Sequence, residues 1–151
     1  MEEGKAAPLF TLPDQTGEKV ALKDLKGKTV VIYFYPKDDT PGCTKQACNL
    51  RDHTGLLQEA GVAVVGVSAD DTASHERFSE KYDLPFPLLA DPGHEILEAY
   101  GVWGEKNFYG KTSMGIKRTT FLIGPDGHVV HVFKRPKTDR HAQEILDKLP
   151  A

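Results

Sequence analysis

Short apolar runs alternate with longer mixed segments along the chain. The run at residues 29–35, TVVIYFY, is continuous and rich in β-branched and aromatic residues, which is typical of a strand covered on both faces. Val62–Ser68 has the same character and predicts a second buried strand. Between the two runs, apolar residues at helical spacing predict a helix over residues 43–60 that ends at Gly61.

The second half of the chain continues this alternation. In order, the pattern predicts a helix over Thr72–Tyr82, a short strand at 86–89, a short helix at 94–100, a hairpin of Thr119–Ile123 with 128–134, and a closing helix at 138–149. We find no internal repeat, low-complexity tract or linker in the sequence, so residues 1–151 are predicted to form a single domain. The element order predicts an α/β, thioredoxin-like fold, with a mixed central sheet, helices on both faces and extra N-terminal strands.

Composition narrows the function classes. A chain of 151 residues with 39% apolar content can bury a sizeable core, roughly 68–70% of its unfolded surface, so its two cysteines are not needed as a disulfide scaffold. The 19 basic residues are scattered among 22 acidic ones, and the net charge is −3. This balance argues against nucleic acid as the main partner.

The length of the apolar runs and the first residues of the chain indicate where the protein is located in the cell. The longest runs are too short to cross a bilayer, and residues 1–5 carry two glutamates where an export signal would be apolar. The sequence therefore predicts no membrane partner and a reducing cytoplasm, where a disulfide is more often transient than structural.

Both cysteines lie in the stretch YPKDDTPGCTKQAC, residues 35–48, which leads from a buried strand into a helix. Thr40 followed by Pro41 fits a helix N-cap with proline at the first helical position, which places Cys43 at the third. A sulfur there lies among unpaired backbone N–H groups at the positive end of the helix dipole, an environment that favours the thiolate. Cys43 is thus a candidate nucleophile, although a free cysteine is more commonly a small buried apolar residue.

Cys48 follows Cys43 by five residues. On an ideal helix this spacing separates the Cα atoms by roughly 8–9 Å, with the side chains about 140° apart. Because a disulfide needs Cα atoms within about 6.8 Å, the two sulfurs can bond only after local unwinding. His53 continues the spacing, but the three side chains diverge around the helix and no fourth ligand is visible, so we predict no metal.

These residues resemble the peroxiredoxins, in particular the bacterioferritin comigratory protein (PrxQ) group. Pro36, Thr40 and Cys43 reproduce the pattern P-x-x-x-T-x-x-C of that family, and Cys48 stands where this group often has its resolving cysteine. Further similar segments are APLF near the N-terminus, GVSADD, LPFPLLAD, YGVWGEK and KRTTFLIGPDG. The resemblance covers essentially the whole chain.

The resemblance implies a thioredoxin-dependent thiol peroxidase that reduces hydrogen peroxide and organic hydroperoxides without a cofactor. Cys43 would attack the peroxide and become a sulfenic acid, Cys48 would condense with it, and a dithiol protein of the thioredoxin type would reduce the disulfide. Thr40 and the first-turn N–H groups would hold the peroxide, Pro36 would shield the sulfur, and Arg118 would stabilise developing charge. Since both cysteines share one helix, a monomer is expected.

Simpler interpretations stay open at several positions. Thr40 can be only a helix cap, Pro36 only the end of a strand, and Arg118 only a solvated surface charge. Residues 103–115 predict a glycine-spaced aromatic loop, with Trp103, Phe108 and Tyr109, that covers the site, docks the reductant or simply packs. A dithiol oxidoreductase or chaperone and a zinc-binding module are the alternative function classes.

Overall fold

The computed structural model describes residues 2–108 and 110–149, with only the backbone described at 107 and 108. The strands are β1 (Thr11–Pro13), β2 (Lys19–Ala21), β3 (Thr29–Phe34), β4 (Val62–Ser68), β5 (Leu88–Ala90), β6 (Trp103–Phe108), β7 (Lys111–Ile116), β8 (Thr119–Ile123) and β9 (Val129–Phe133). The α-helices are α1 (Pro41–Asp52), α2 (Thr54–Glu59), α3 (Thr72–Tyr82), α4 (Glu95–Ala99) and α5 (His141–Lys148), and Leu22–Leu25 form a 3-10 turn.

Five strands form the central sheet in the order β5-β4-β3-β8-β9. β3 pairs in parallel with β4 and antiparallel with β8, so the sheet is mixed, as predicted. β3 lies in the middle, which explains why its sequence is continuously apolar rather than alternating. The extra N-terminal strands are β1 and β2, which form a separate antiparallel pair.

Alternate residues of β3 contribute to two hydrophobic clusters on opposite faces of the sheet. One cluster contains Val30, Ile32 and Phe34, and the other contains Val31 and Tyr33 together with Tyr35. α4 contributes Leu97 to the first cluster, whereas the second receives Cys43, Ala47 and Leu50 from α1, Phe78 from α3 and Ile145 from α5. Helices therefore cover both faces, and Cys43 belongs to the core beneath α1.

The helix predicted over 43–60 is two helices, so that prediction was wrong in its continuity. The break is at His53, which leaves helical geometry at φ −113° and ψ 13°. His53 Nδ1 donates to the Asn49 carbonyl at 2.7 Å, and the Thr54 hydroxyl donates to the Leu50 carbonyl at 3.1 Å. These side chains compete with backbone N–H groups for the last carbonyls of α1, which ends the helix.

The short strand predicted at 86–89 is shifted to Leu88–Ala90, where it pairs with Gly66–Ser68 of β4. Pro87 has no N–H group to donate to the ladder, so pairing starts one residue later. The predicted strand Val62–Ser68 and the predicted helix Thr72–Tyr82 have the observed bounds.

The glycine-spaced loop predicted at 103–115 is instead the β-hairpin β6–β7, which corrects that prediction. Its register pairs Trp103 with Ile116 and Gly104 with Gly115. Gly110, beside the turn, has φ +78°, a conformation that tight hairpin turns require and that glycine adopts without strain. Tyr109, the remaining aromatic residue of the predicted loop, lies outside the described residues.

Candidate active site

Cys43 lies at the third position of α1, directly after the central strand of the sheet. Thr40 is the N-cap in extended conformation and Pro41 is the first helical residue, as the sequence predicted. The Cys43 side chain is a free thiol and the residue is only 1% exposed. The sulfur thus combines burial with the unpaired N–H groups of a helix N-terminus.

Arg118 reaches Cys43 although the two are 75 residues apart in sequence, with its Nη2 donating to the Cys43 sulfur at 3.2 Å. The sheet explains the approach: Thr119, the first residue of β8, pairs with Phe34, the last residue of β3. Arg118 therefore sits at the edge of the sheet where α1 begins. Gly42 leaves room for it, because a Cβ at that position would lie 3.2 Å from Arg118 Nη2.

Gln46 is a site residue that the sequence reasoning missed. Its Oε1 accepts a hydrogen bond from Arg118 Nη1, while Nη2 of the same guanidinium contacts Cys43. Gln46 is fully buried, and its Nε2 has no hydrogen-bond partner among the described residues. The available signal was its spacing, since a residue three positions after Cys43 lies on the same helix face.

Thr40 does not cap α1 with its side chain, so the simple capping interpretation was wrong. Its hydroxyl donates instead to the Lys37 carbonyl at 3.0 Å. The proton is thereby engaged within the loop, while a hydroxyl oxygen keeps two acceptor lone pairs. Thr40 can consequently accept a hydrogen bond from a small ligand at the start of α1.

Pro36 follows the buried Tyr35 at the end of β3 and lines an open groove of about 550 Å³. The β6–β7 hairpin also lines the groove, with the apolar Trp103 and Met114 and the polar Lys106 and Ser113. The Met114 side chain is largely exposed. The groove is therefore partly apolar and adjoins the loop that precedes Cys43.

Cys48 is not bonded to Cys43 in the structure. Both are free thiols on one uninterrupted helix, where five residues of separation place their Cα atoms roughly 8–9 Å apart. Cys48 is half-buried, and its helix turn lies near Arg51, whose Nη1 donates to the Tyr82 carbonyl at 2.7 Å. Arg51 also pairs with Asp52 at 2.9 Å.

The C-terminal half of α1 is anchored on two sides. Asn49 Nδ2 donates to the Asp139 carbonyl at 3.0 Å, and Asn49 Oδ1 accepts the Ala142 N–H at 2.8 Å, which joins α1 to the start of α5. Arg51 joins the same part of α1 to the end of α3. The first two turns, which carry both cysteines, precede these anchors.

Cys43, Cys48 and His53, which share the five-residue spacing in the sequence, do not form a cluster among the described residues. His53 directs Nδ1 to the backbone of its own helix, at Asn49. Within residues 2–108 and 110–149, the group of side chains whose ligand atoms lie close enough for an ion is Asp38, Asp70 and His75. None of the described helices is long and apolar enough to span a membrane.

The chain is similar to known peroxiredoxins along nearly its whole length. Residues 4–132 match the AhpC/TSA family. Peroxiredoxin Bcp of Escherichia coli is 51% identical over 149 residues, which cover 99% of this chain and 96% of that protein. A peroxiredoxin of the same name from Coxiella burnetii is 50% identical over 149 residues and 99% of both chains.

Solved structures give the same result. A cysteine-to-serine mutant of PrxQ from Xylella fastidiosa superimposes with a TM-score of 0.92 at 32% identity, covering 98% of this chain and 94% of that one. Bacterioferritin comigratory protein from Xanthomonas campestris gives a TM-score of 0.86 at 38% identity, with 91% and 88% covered. The chain therefore belongs to the AhpC/TSA family, within its Bcp/PrxQ peroxiredoxins, and is a thiol peroxidase.

Proposed function

We propose that Cys43 is the thiol that attacks the peroxide and that Arg118 stabilises the charge formed in that step. The observation that carries the proposal is the 3.2 Å contact between Arg118 Nη2 and the buried Cys43 sulfur at the start of α1. A guanidinium stays charged at all physiological pH values and presents a rigid fork of donors. It therefore favours a thiolate before the reaction and an oxyanion during it.

The chemical step moves one oxygen atom. The Cys43 thiolate attacks the terminal oxygen of R–O–OH, an S–O bond forms, and the O–O bond breaks. The bonding pair of the O–O bond leaves with the RO⁻ group, which takes up a proton to become ROH, and Cys43 is oxidised to a sulfenic acid. Preorganised donors at the departing oxygen are the main means of lowering this barrier.

Thr40 and Pro36 complete the proposed site. The Thr40 oxygen accepts a hydrogen bond from the O–H group of the peroxide, because its own proton is donated to the Lys37 carbonyl. The backbone N–H groups of the first turn of α1 donate to the peroxide oxygens. Pro36, at the end of β3, limits the access of water to the sulfur from the groove side.

Cys48 is the proposed resolving thiol. Its sulfur attacks the Cys43 sulfenic acid, water leaves, and an intramolecular disulfide forms once the first turns of α1 unwind. A dithiol protein of the thioredoxin type then reduces the disulfide. Because both thiols belong to one helix, the cycle works in a monomer, and a reducing cytoplasm suits the regeneration step.

Hydrogen peroxide and organic hydroperoxides are the proposed substrates. The groove between Pro36 and the β6–β7 hairpin is lined in part by the apolar side chains of Trp103 and Met114. It adjoins the loop that precedes Cys43. An organic tail can lie there while the peroxide group reaches Cys43. The similar bacterioferritin comigratory protein of Xanthomonas campestris has alkyl peroxide reduction activity, which supports this substrate class.

A coupled assay tests the proposal. Hydrogen peroxide is added to the protein with thioredoxin, thioredoxin reductase and NADPH, and NADPH consumption is followed. We expect turnover by the wild type and none by Cys43→Ser, which keeps the fold but lacks the nucleophile. Substantial turnover by Cys43→Ser would overturn the assignment of Cys43 as the attacking thiol. Insulin reduction without peroxide consumption by the wild type would favour the alternative of a dithiol oxidoreductase.

A further inference from the structure

The 36–40 loop, which joins β3 to α1, is fastened to α3 by two consecutive carboxylates. Asp38 points into the protein, with its side chain 4% exposed, and contacts His75 of α3. Asp39 lies at the surface and accepts hydrogen bonds from Lys81 Nζ at 2.8 Å and the Tyr82 hydroxyl at 2.9 Å. These bonds lower the pKa of the Asp39 carboxyl.

Asp38 is the centre of a buried network. Its Oδ1 accepts the Tyr35 hydroxyl at 2.6 Å, and its Oδ2 accepts the Ser74 hydroxyl at 2.8 Å and faces His75 Nδ1 at 2.7 Å. The Asp38 N–H donates to Asp70 Oδ2 at 2.8 Å. Backbone and side chain of this one residue are thus both fixed.

The hydrogen bonds show where protons of the pair lie. His75 Nε2 faces the Leu89 carbonyl at 3.0 Å, and since a carbonyl only accepts, Nε2 must carry a proton. A second proton must lie between Nδ1 and Asp38 Oδ2, which are 2.7 Å apart. Burial raises the pKa of Tyr35, so its hydroxyl remains a donor to Asp38.

His75 and Asp38 therefore form a buried, hydrogen-bonded pair. His75 is fully buried between its two acceptors. Asp38, Asp70 and His75 also have the mutual spacing of metal ligands. Both ring nitrogens of His75 are, however, already engaged, with Asp38 and with the Leu89 carbonyl, so an ion would have to displace one of these hydrogen bonds to bind His75.

The pair acts on the backbone that carries the reaction. Asp39 has φ +56°, a left-handed conformation that a non-glycine residue keeps only when its surroundings hold it. The restraint comes from two side chains: Asp38, just before the bend, contacts His75, and Asp39, at the bend, contacts Lys81. Thr40 follows at once, and Cys43 is three residues further on.

We propose that Asp38 and His75 are positioning residues for the peroxidase reaction, which hold the 36–40 loop so that the Thr40 oxygen and the first turn of α1 meet the peroxide in line with the Cys43 sulfur. They touch neither the sulfur nor the substrate. The inference rests on the proposed function, in which Thr40 and Cys43 bind and attack the peroxide.

The test compares two reactions of the same thiol. In a Cys48→Ser background, the reduced protein is mixed with hydrogen peroxide, and sulfenic acid formation is followed by rapid quench and mass spectrometry. Its reaction with iodoacetamide is measured in parallel. Alkylation needs a reactive thiolate but no peroxide alignment, so the ratio of the two rate constants reports positioning.

We expect His75→Gln and Asp38→Asn to slow the peroxide reaction by roughly 10²-fold, the effect of a displacement of about 1 Å, and alkylation by less than about threefold. Tyr35→Phe removes one hydrogen bond to Asp38 and leaves no buried charge unpaired, so it provides a folded variant with a smaller loss of the same ratio. Asp71→Ala is the matched control. It removes the N-cap of α3, which accepts the Ser74 N–H at 2.8 Å, and weakens the same helix end without touching Asp38.

An unchanged ratio in the folded variants would overturn the positioning role and leave the pair as a stabilising contact only. The same conclusion would follow if Asp71→Ala lowered the ratio as much as Tyr35→Phe. Failure of the proposed function looks different, because Cys43→Ser would then still consume peroxide whatever the ratio in the other variants.

Discussion

The guanidinium of Arg118 contacts the Cys43 sulfur at 3.2 Å with Nη2 and donates to Gln46 Oε1 with Nη1. Cys43 and Gln46 belong to the same helix face, so one helix presents both the thiol and the group that orients its cationic partner. The arrangement fixes the guanidinium by two contacts before any peroxide arrives. Such preorganisation is what makes a charged donor effective against an oxyanion that forms only during the reaction.

Arg118→Met should lower the second-order rate constant with hydrogen peroxide by on the order of 10²–10³, the range for losing one strong donor at a developing anion. Stopped-flow single turnover measures it. Lys117→Met is the matched control, because it removes an exposed charge from the neighbouring position. If Arg118→Met folds normally and reacts at the wild-type rate, Arg118 is only a surface charge.

Gln46→Met should lower the same rate constant by about 10-fold, as expected for one hydrogen bond to a charged group. Arg118 loses its orienting acceptor but remains in place. Stability should change little, because Gln46 Nε2 is buried without a partner among the described residues. In the double variant with Arg118→Met, the losses should not add, since both substitutions remove one function. Additive losses would show that Gln46 acts independently.

Cys48→Ser should leave the first reaction with peroxide intact and block the catalytic cycle. The Cys43 sulfenic acid then persists, because the resolving sulfur is absent, and excess peroxide carries it to the sulfinic acid. Mass spectrometry of the quenched protein distinguishes the two products by their oxygen content. Full turnover with thioredoxin in this variant would exclude Cys48 as the required resolving thiol.

Oxidation of the wild type should unwind the start of α1. In the Cys43–Cys48 disulfide form, we expect less helical signal by circular dichroism, faster amide exchange over residues 44–48, and lower stability than in the reduced form. Disulfides usually stabilise, but this one forms only at the cost of native helix. Unchanged amide protection across residues 44–48 in a verified disulfide would contradict this unwinding.

The unwinding should stop at the anchors of α1. Asn49 is held by backbone groups at Asp139 and Ala142, and Arg51 by the Tyr82 carbonyl. The N–H groups of His53 and Leu57 bond to the Leu50 and His53 carbonyls, which lie beyond the unwound segment, so these two amides should keep their protection in the oxidised protein. Asn49→Ala should extend the fast exchange to them, whereas its effect on the reduced protein should be small by comparison. Equal protection of these amides in both oxidised proteins would show that Asn49 is no anchor.

His141 should make stability depend on pH. Burial lowers the pKa of this fully buried histidine, against the opposing effect of Glu144, whose carboxylate lies 2.9 Å from Nδ1. The unfolded chain takes up a proton near pH ~6.5, while the folded protein does so only at lower pH. Between these values the unfolded state binds more protons, so the free energy of unfolding falls as the pH is lowered below about 6.5.

His141→Gln should flatten this dependence, and His128→Gln, at an exposed histidine, should not. Urea denaturation at several pH values measures the free energy of unfolding for the three proteins. Parallel pH curves for the wild type and His141→Gln would assign the dependence to other groups.

Several features of the fold were predictable because their signals are local. The Thr40–Pro41 pair marks a helix start through the geometry of the residues themselves, and this placed Cys43 at its observed helix position. The continuous apolar run of β3 indicated a central strand because both of its faces are covered. The hairpin β6–β7 escaped prediction, since its glycines and exposed positions lack the apolar alternation of a half-buried strand.

The sequence by itself determined where Cys43 lies on its helix, that Cys48 cannot reach it without unwinding, and which family signature surrounds both. Only the tertiary structure decided that Gln46 orients Arg118 and that Asp38 pairs with His75. Each of these contacts joins residues 37 or more positions apart. Helix starts and strand patterns arise from neighbouring residues, whereas such contacts depend on sheet register and helix packing, above all on Phe34 meeting Thr119 where β3 pairs with β8.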